Sequence, residues 1–117
     1  MNLDDLAHFK KLDTLNMLAE IDGLPDQLQQ AWDLGSTQPL PKLDAFAIRS
    51  IVISGMGGSA IGADLAAASV FSSIRLPVAL HRSYGLPAFA SGKKTLDICC
   101  SHSGNTEEVL DSFETAV

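Results

Sequence analysis

The sequence predicts an α/β fold with a parallel sheet, preceded by amino-terminal helices. Three short apolar runs, at residues 51–53, 77–81 and 95–100, are typical of strands buried in a sheet. Helical patterns follow the first and the third run, at residues 59–70 and 105–115. The order strand, helix, strand, strand, helix indicates a layered α/β fold whose strands run parallel.

The amino-terminal helices come first along the chain. Residues 3–22 repeat leucine at helical spacing up to a glycine, which predicts one helix. A second helix is predicted from Pro25, which suits a first helical position, to Gly35. The Ser, Thr and Pro residues that follow are typical of a linker. We therefore expect a helical leader over residues 1–36 and an α/β part over residues 37–117.

The α/β part contains three predicted strands. The first run ends in a cluster of glycines and suits a strand covered on both faces. A loop at Tyr84–Pro87 separates the second strand from the third. Cys99 and Cys100 are adjacent on the third strand and would point to opposite faces, so we do not expect a bond between them. They are expected to be small buried hydrophobic residues in a reducing compartment.

Composition limits the class of function. The formal net charge of the 117 residues is −6, without a basic stripe, so nucleic-acid binding is not expected. No apolar run reaches the roughly 18 residues that suggest a membrane span. The segment Met1–Asp5 lacks the regions of a signal peptide, and the chain lacks zinc-ligand spacing. We therefore expect a cytoplasmic protein with no membrane contact and no metal site.

The first candidate binding loop is glycine-rich. Gly55–Gly62 has four glycines in eight residues and lies between a predicted strand and a predicted helix. Glycines let the backbone come close to a ligand, and the helix start adds free N–H donors and a positive dipole end. A tight turn without a ligand is the alternative interpretation, which we consider less favoured.

The second candidate loop, Ser101–Glu108, is rich in hydroxyls. Ser101, Ser103 and Thr106 surround a glycine at another strand-to-helix junction. Hydroxyls and helix-start N–H groups together match the acceptor oxygens of a phosphate. Simple helix capping by Ser103 or Asn105 explains this loop equally well when it is considered alone.

The predicted strand order brings these two loops together. In the order 2-1-3, strands one and three are neighbours, and their carboxyl ends flank the point where open α/β sheets bind ligands. A single anion site built from both loops is therefore the more economical hypothesis.

These motifs resemble a known family. Gly55–Gly62 and Ser101–Glu108 are similar to the two amino-terminal motifs of sugar isomerase (SIS) domains. The leader, from Met17 to Gln27 and ending at Ala31, also resembles that of bifunctional phosphoglucose/phosphomannose isomerases. The resemblance implies an incomplete, flavodoxin-like three-layer SIS domain. It also implies cofactor-free conversion of glucose 6-phosphate and mannose 6-phosphate to fructose 6-phosphate through an enediol. Self-association, such as a homodimer, is expected on other grounds, because three strands leave a sheet edge uncovered and the helices have apolar faces.

The resemblance also implies site residues. It implies phosphate contacts at Ser101, Ser103 and Thr106, and backbone or hydroxyl contacts of the sugar phosphate at Gly57, Gly58 and Ser59. In the family the general base is a glutamate from a later segment. The 117-residue chain alone is therefore expected to bind without catalysing.

Three residues near the hydroxyl loop are ionisable candidates for catalysis. Glu107 and Glu108 would lie beside the phosphate, at the wrong end of the substrate for chemistry at C1 and C2. His102 stands where the family commonly has tyrosine. Its alternation with Ser101 and Ser103 is expected to direct it elsewhere, into packing or a surface contact.

Two other functions fit parts of the sequence. The spacing Gly55-x-Gly57-x-x-Ala60 fits a relaxed dinucleotide-binding fingerprint, with Arg82 available for an NADP phosphate, but leaves the hydroxyl loop unexplained. A non-catalytic SIS phosphosugar sensor would use the same two loops without a base.

Overall fold

The computed structural model describes residues 5–90 and 92–117. The chain separates into two compact units, one ending at Lys42 and the other running from Leu43 to Val117. Within the described residues, no helix has both the length and the hydropathy needed to cross a bilayer.

The first unit contains two helices where one was predicted. The helix expected over residues 3–22 is instead α1, Leu6–Leu12, and α2, Met17–Asp22. Asn16 takes a left-handed conformation, with φ of 55°, which interrupts the helix. The Asp13 carboxylate then accepts hydrogen bonds from the free N–H groups of Met17 and Leu18, with N–O distances of 2.7 and 2.8 Å, and so caps α2. Leu3 and Asp4, which the predicted helix included, lie outside the described residues.

The third helix, α3, spans Leu24–Thr37 and has Pro25 in its first turn, as predicted. The predicted end at Gly35 is wrong by two residues, because this glycine does not take the positive φ that would terminate the helix. The Ser36 and Thr37 hydroxyls instead bond carbonyls one turn earlier within the helix, at 2.7 and 2.9 Å.

Helices α1 to α3 bury none of their residues, and Trp32 is 74% exposed. Exposed apolar faces of this kind are typical of surfaces that another chain or segment covers. The expected self-association stays a prediction.

The second unit is the predicted α/β layer. Its sheet has the order β2-β1-β3 with every pairing parallel, which confirms the predicted α/β class, the parallel sheet and the strand order. Its elements along the chain are β1 (Ser50–Gly55), α4 (Gly57–Val70), β2 (Val78–His81), a 3₁₀ turn (Ala88–Ala90), β3 (Thr95–Cys100) and α5 (Glu107–Ala116).

Helices α4 and α5 cover opposite faces of this sheet. A side chain built on Gly55 would meet the backbone of Ser59 and Ala60 at the start of α4. Asp97 points to the other face, where it lines a cavity together with Phe113 of α5. The core between these layers is small, with Val52 of the central strand fully buried.

A polar cluster lies under α5 on the sheet face. Ser54 is only 1% exposed, and its hydroxyl donates a hydrogen bond to Oδ1 of Asp97 at 2.9 Å. The Cys99 thiol donates to Oδ2 of the same carboxylate at 3.1 Å. Cys99 and Cys100 are both free thiols, as expected, but both are half-buried, so the prediction that they are buried is wrong. Burial, together with the hydrogen bond to the Asp97 carboxylate, raises the pKa of the Cys99 thiol from its ordinary 9.0 to about 12.

Stability is therefore expected to fall in alkaline solution because of Cys99. A pKa that folding raises contributes stability that is complete below pH 9.0 and is lost as the pH rises toward about 12. We expect the difference in unfolding free energy between the wild type and Cys99→Ala to shrink between pH 8 and pH 11. Urea unfolding at both pH values measures it, with Cys100→Ala as the matched control. Differences that stay constant with pH for Cys99→Ala would contradict the assignment.

Candidate functional site

The register of the sheet places the ends of two strands side by side. Ser54 is aligned with Cys99, and Gly55 with Cys100. The loop between β1 and α4 therefore starts directly beside the loop between β3 and α5. The close approach depends on Gly55, because a side-chain carbon there would lie 3.3 Å from the Cys100 carbonyl oxygen and 3.4 Å from the Ala60 nitrogen.

The glycine loop leads into the first turn of α4. Gly57 is the first residue of the helix and has a φ of 53°, a conformation that glycine adopts at little cost. Met56 precedes the helix and provides no side-chain cap. The first N–H groups of α4 thus have no capping side chain and are available to an acceptor from outside the helix.

The second loop gathers its three hydroxyls. The oxygen of Ser101 lies 2.9 Å from that of Thr106, and Ser103 Oγ lies 3.5 Å from both. The N–H groups of Gly104 and Asn105 donate to Ser101 and Ser103, at 3.0 and 3.2 Å, which fixes the turn. The oxygen of Ser101 therefore joins both ends of the loop.

Helix α5 begins without a side-chain cap. The residue at its N-cap is Thr106, not Ser103 or Asn105, and its hydroxyl makes no capping hydrogen bond. It lies against Ser101 instead. Because the helix start is left uncapped, capping alone does not account for the three hydroxyls.

The two loops share one open pocket of about 600 Å³. The pocket is lined by six residues, Met56, Gly58, Ser59, His102, Ser103 and Thr106. Four of the predicted site residues are thus brought together. Gly57 and Ser101 are not among the lining residues, but Gly57 directly precedes Gly58, and the oxygen of Ser101 lies 2.9 Å from that of Thr106.

The prediction for the orientation of His102 was wrong. It was expected to point away from the hydroxyls, yet it lines the same pocket. The expectation assumed that strand alternation continues past Cys100, whereas β3 ends there and the chain bends at residues 102–104.

The pocket offers donors without a fixed cation. None of its six lining residues is lysine or arginine. Hydroxyls, helix-start N–H groups and the ring of His102 are the donors that remain, and they suit an anion with several acceptor oxygens.

Comparison with proteins of curated function identifies relatives. The chain is 40% identical over 100 residues to a "Bifunctional phosphoglucose/phosphomannose isomerase" of Caldicellulosiruptor bescii, covering 86% of this chain and 29% of that protein. A protein of the same name from Aquifex aeolicus is 39% identical, over 63% of this chain and 23% of the relative. A third, from Thermoplasma volcanium, is 46% identical, over 56% of this chain and 20% of the relative.

The chain is similar to the amino-terminal portion of bifunctional phosphoglucose/phosphomannose isomerases.

This similarity confirms the resemblance that the glycine and hydroxyl motifs indicated. The chain spans less than a third of the length of these curated isomerases. No protein-family model matches it, and no solved structure matches it.

The dinucleotide interpretation is weaker than the similarity to the isomerases. Arg82, the residue available for an NADP phosphate, forms an ion pair with Asp64 of α4. It does not line the pocket between the two loops. The hydroxyl loop also has no role in that interpretation.

Sequence reasoning missed a third segment that meets α5. Tyr84 donates its hydroxyl to Oε2 of Glu107 at 3.1 Å, and the Gly85 N–H donates to Asp111. Ser112, fully buried, donates to the Gly85 carbonyl at 2.9 Å. The hydrogen bond to Glu107 raises the pKa of Tyr84 above its ordinary 10.0. These partners lie 23 to 27 residues apart, so no local pattern signals them.

Proposed function

We propose that this chain binds the phosphate of a sugar phosphate in the pocket between its two loops. The observation that carries the proposal is the cluster of three hydroxyls within 3.5 Å of one another at an uncapped helix start, facing a second uncapped helix start. A phosphate dianion can accept hydrogen bonds in several directions at once, which suits this arrangement.

The phosphate would lie over the start of α5, within reach of Ser101, Ser103 and Thr106. The glycine side of the pocket, at Gly57–Ser59, would contact the sugar. This assignment uses free N–H groups of both helices, whose positive dipole ends favour an anion.

We further propose that the complete protein interconverts glucose 6-phosphate or mannose 6-phosphate with fructose 6-phosphate. The names and the 39–46% identity of the curated relatives support this reaction class. The reaction moves the carbonyl between C1 and C2: a base removes the C2 proton while O1 gains a proton, which forms an enediol, and C1 then gains a proton as the O2 hydroxyl loses its own. The proposed base lies outside these 117 residues, and no cofactor is invoked.

The α/β layer with order β2-β1-β3 is compatible with the amino-terminal part of a flavodoxin-like SIS domain over residues 37–117, following a leader over residues 1–36.

A non-catalytic phosphosugar sensor is the second candidate. The described lining of the pocket, which includes no carboxylate, suffices for this function, because binding needs no base. The two candidates share the binding step and differ in turnover.

Turnover therefore separates the two candidates. Residues 1–117 alone are expected to show no isomerase activity, because the proposed base is absent from them, whereas the complete protein is expected to turn over at about 1–1000 per second. A coupled assay with glucose 6-phosphate measures both. Binding of sorbitol 6-phosphate, which has no carbonyl to isomerise, is the control for an intact site. Binding without turnover in the complete protein would favour the sensor, and turnover by residues 1–117 would contradict the placement of the base.

A further inference from the structure

The segment at Tyr84 and Gly85 is anchored on α5 by a set of specific contacts. The backbone N–H of Gly85 donates to the Asp111 carboxylate, and its carbonyl accepts from Ser112 at 2.9 Å. Gly85 has a φ of 68°, a left-handed conformation that suits glycine. The ring of His81 adds a contact to the Tyr84 carbonyl at 3.3 Å. The backbone of Tyr84 is therefore held at a defined position beside the helix.

From that position the Tyr84 hydroxyl reaches a carboxylate of α5. It donates to Oε2 of Glu107 at 3.1 Å. Glu107 follows Thr106 directly and is the first residue of α5. Its side chain is nevertheless not among those that line the pocket of the hydroxyl cluster.

The Glu107 carboxylate, at the start of α5, has opposite effects on the stability of the helix and on anion binding. At the first turn of α5 it interacts favourably with the helix dipole. Next to a bound phosphate it would repel the ligand, because two like charges a few ångströms apart destabilise each other. The direction in which the Glu107 side chain points therefore matters for anion binding.

We propose that Tyr84 is a positioning residue, which holds the Glu107 carboxylate on the Tyr84 side of α5 and away from the phosphate pocket. The inference rests on the proposed function, since it concerns the same pocket. Without the hydroxyl of Tyr84, the carboxylate is free to turn toward Thr106 and the phosphate oxygens.

The test compares Tyr84→Phe in two backgrounds of the complete protein. Calorimetry with sorbitol 6-phosphate gives the dissociation constants. In the wild-type background, Tyr84→Phe is expected to weaken binding about fivefold, the size of the repulsion between two charges roughly 4 Å apart in water. In the Glu107→Gln background the same change is expected to have no effect, because the charge is gone. Glu114→Gln, farther along the same helix, is the matched control background and is expected to leave the fivefold effect unchanged.

The outcomes separate a charge effect from a structural one. Equal weakening in the Glu107→Gln and wild-type backgrounds would mean that Tyr84 only supports the fold, and would overturn the inference. Unchanged binding in the wild-type background would also overturn it. Thermal unfolding of each variant verifies that the fold is intact. Failure of the wild type itself to bind sorbitol 6-phosphate would instead reject the proposed function, and with it the inference.

Discussion

Replacing Ser103 by alanine in the complete protein is expected to weaken sugar-phosphate binding about tenfold or more. The Ser103 hydroxyl lines the pocket and lies 3.5 Å from those of Ser101 and Thr106. A hydrogen bond to a charged group contributes roughly 1.5–3 kcal/mol, and the lower value already corresponds to a factor of ten. Calorimetry with sorbitol 6-phosphate measures the loss.

The matched control is Ser69→Ala. Ser69 is an exposed serine near the carboxyl end of α4, whereas the pocket lies at the start of that helix. Its hydroxyl donates to the carbonyl of Ala66 within the same helix. It should leave affinity unchanged. If Ser103→Ala also leaves affinity unchanged while the fold is intact, the site assignment is wrong. The dinucleotide interpretation of the glycine loop would then need to be tested.

Gly55→Val is expected to destabilise the fold by about 1–3 kcal/mol and to weaken phosphate binding about tenfold or more. Its side chain would have to fit between the Cys100 carbonyl and the start of α4, where even a single carbon meets backbone atoms at 3.3 to 3.5 Å. Backbone cannot move aside as a flexible side chain can. The two loops would therefore be pushed apart, and donors placed on both loops would no longer reach the same phosphate.

Gly62→Ala is the control for this substitution. A side-chain carbon at Gly62 would meet no atom within 4 Å, and the residue lies inside α4. Alanine in a helix interior is more favourable than glycine by roughly 0.5–1 kcal/mol, so this variant is expected to be more stable with unchanged affinity. Urea unfolding and calorimetry check both variants. Equal stabilities of Gly55→Val and the wild type would contradict the close approach of the loops.

The strands were predictable from the sequence alone, and their order followed from the arrangement that is usual in flavodoxin-like folds. The segments that became β1, β2 and β3 are short and mainly apolar, and their pattern depends only on neighbouring residues. The glycines and hydroxyls after the first and third runs were recognisable as candidate loops for the same reason. The helix boundaries were less accurate. The pattern of leucines indicated neither the break at Asn16 nor the cap that Asp13 provides at the start of α2.

The sequence by itself determined the residue types offered by the two loops and the position of each strand and helix, since these depend on neighbouring residues. The order of those elements along the chain then indicated the α/β class and the parallel sheet. Only the tertiary structure decided which way those residues face. It placed Thr106 against Ser101 instead of over its own helix end, His102 in the pocket, and Tyr84 on Glu107 across 23 residues of chain. Such contacts depend on the register of the strands and on where each turn ends, so they are fixed only when the sheet has formed.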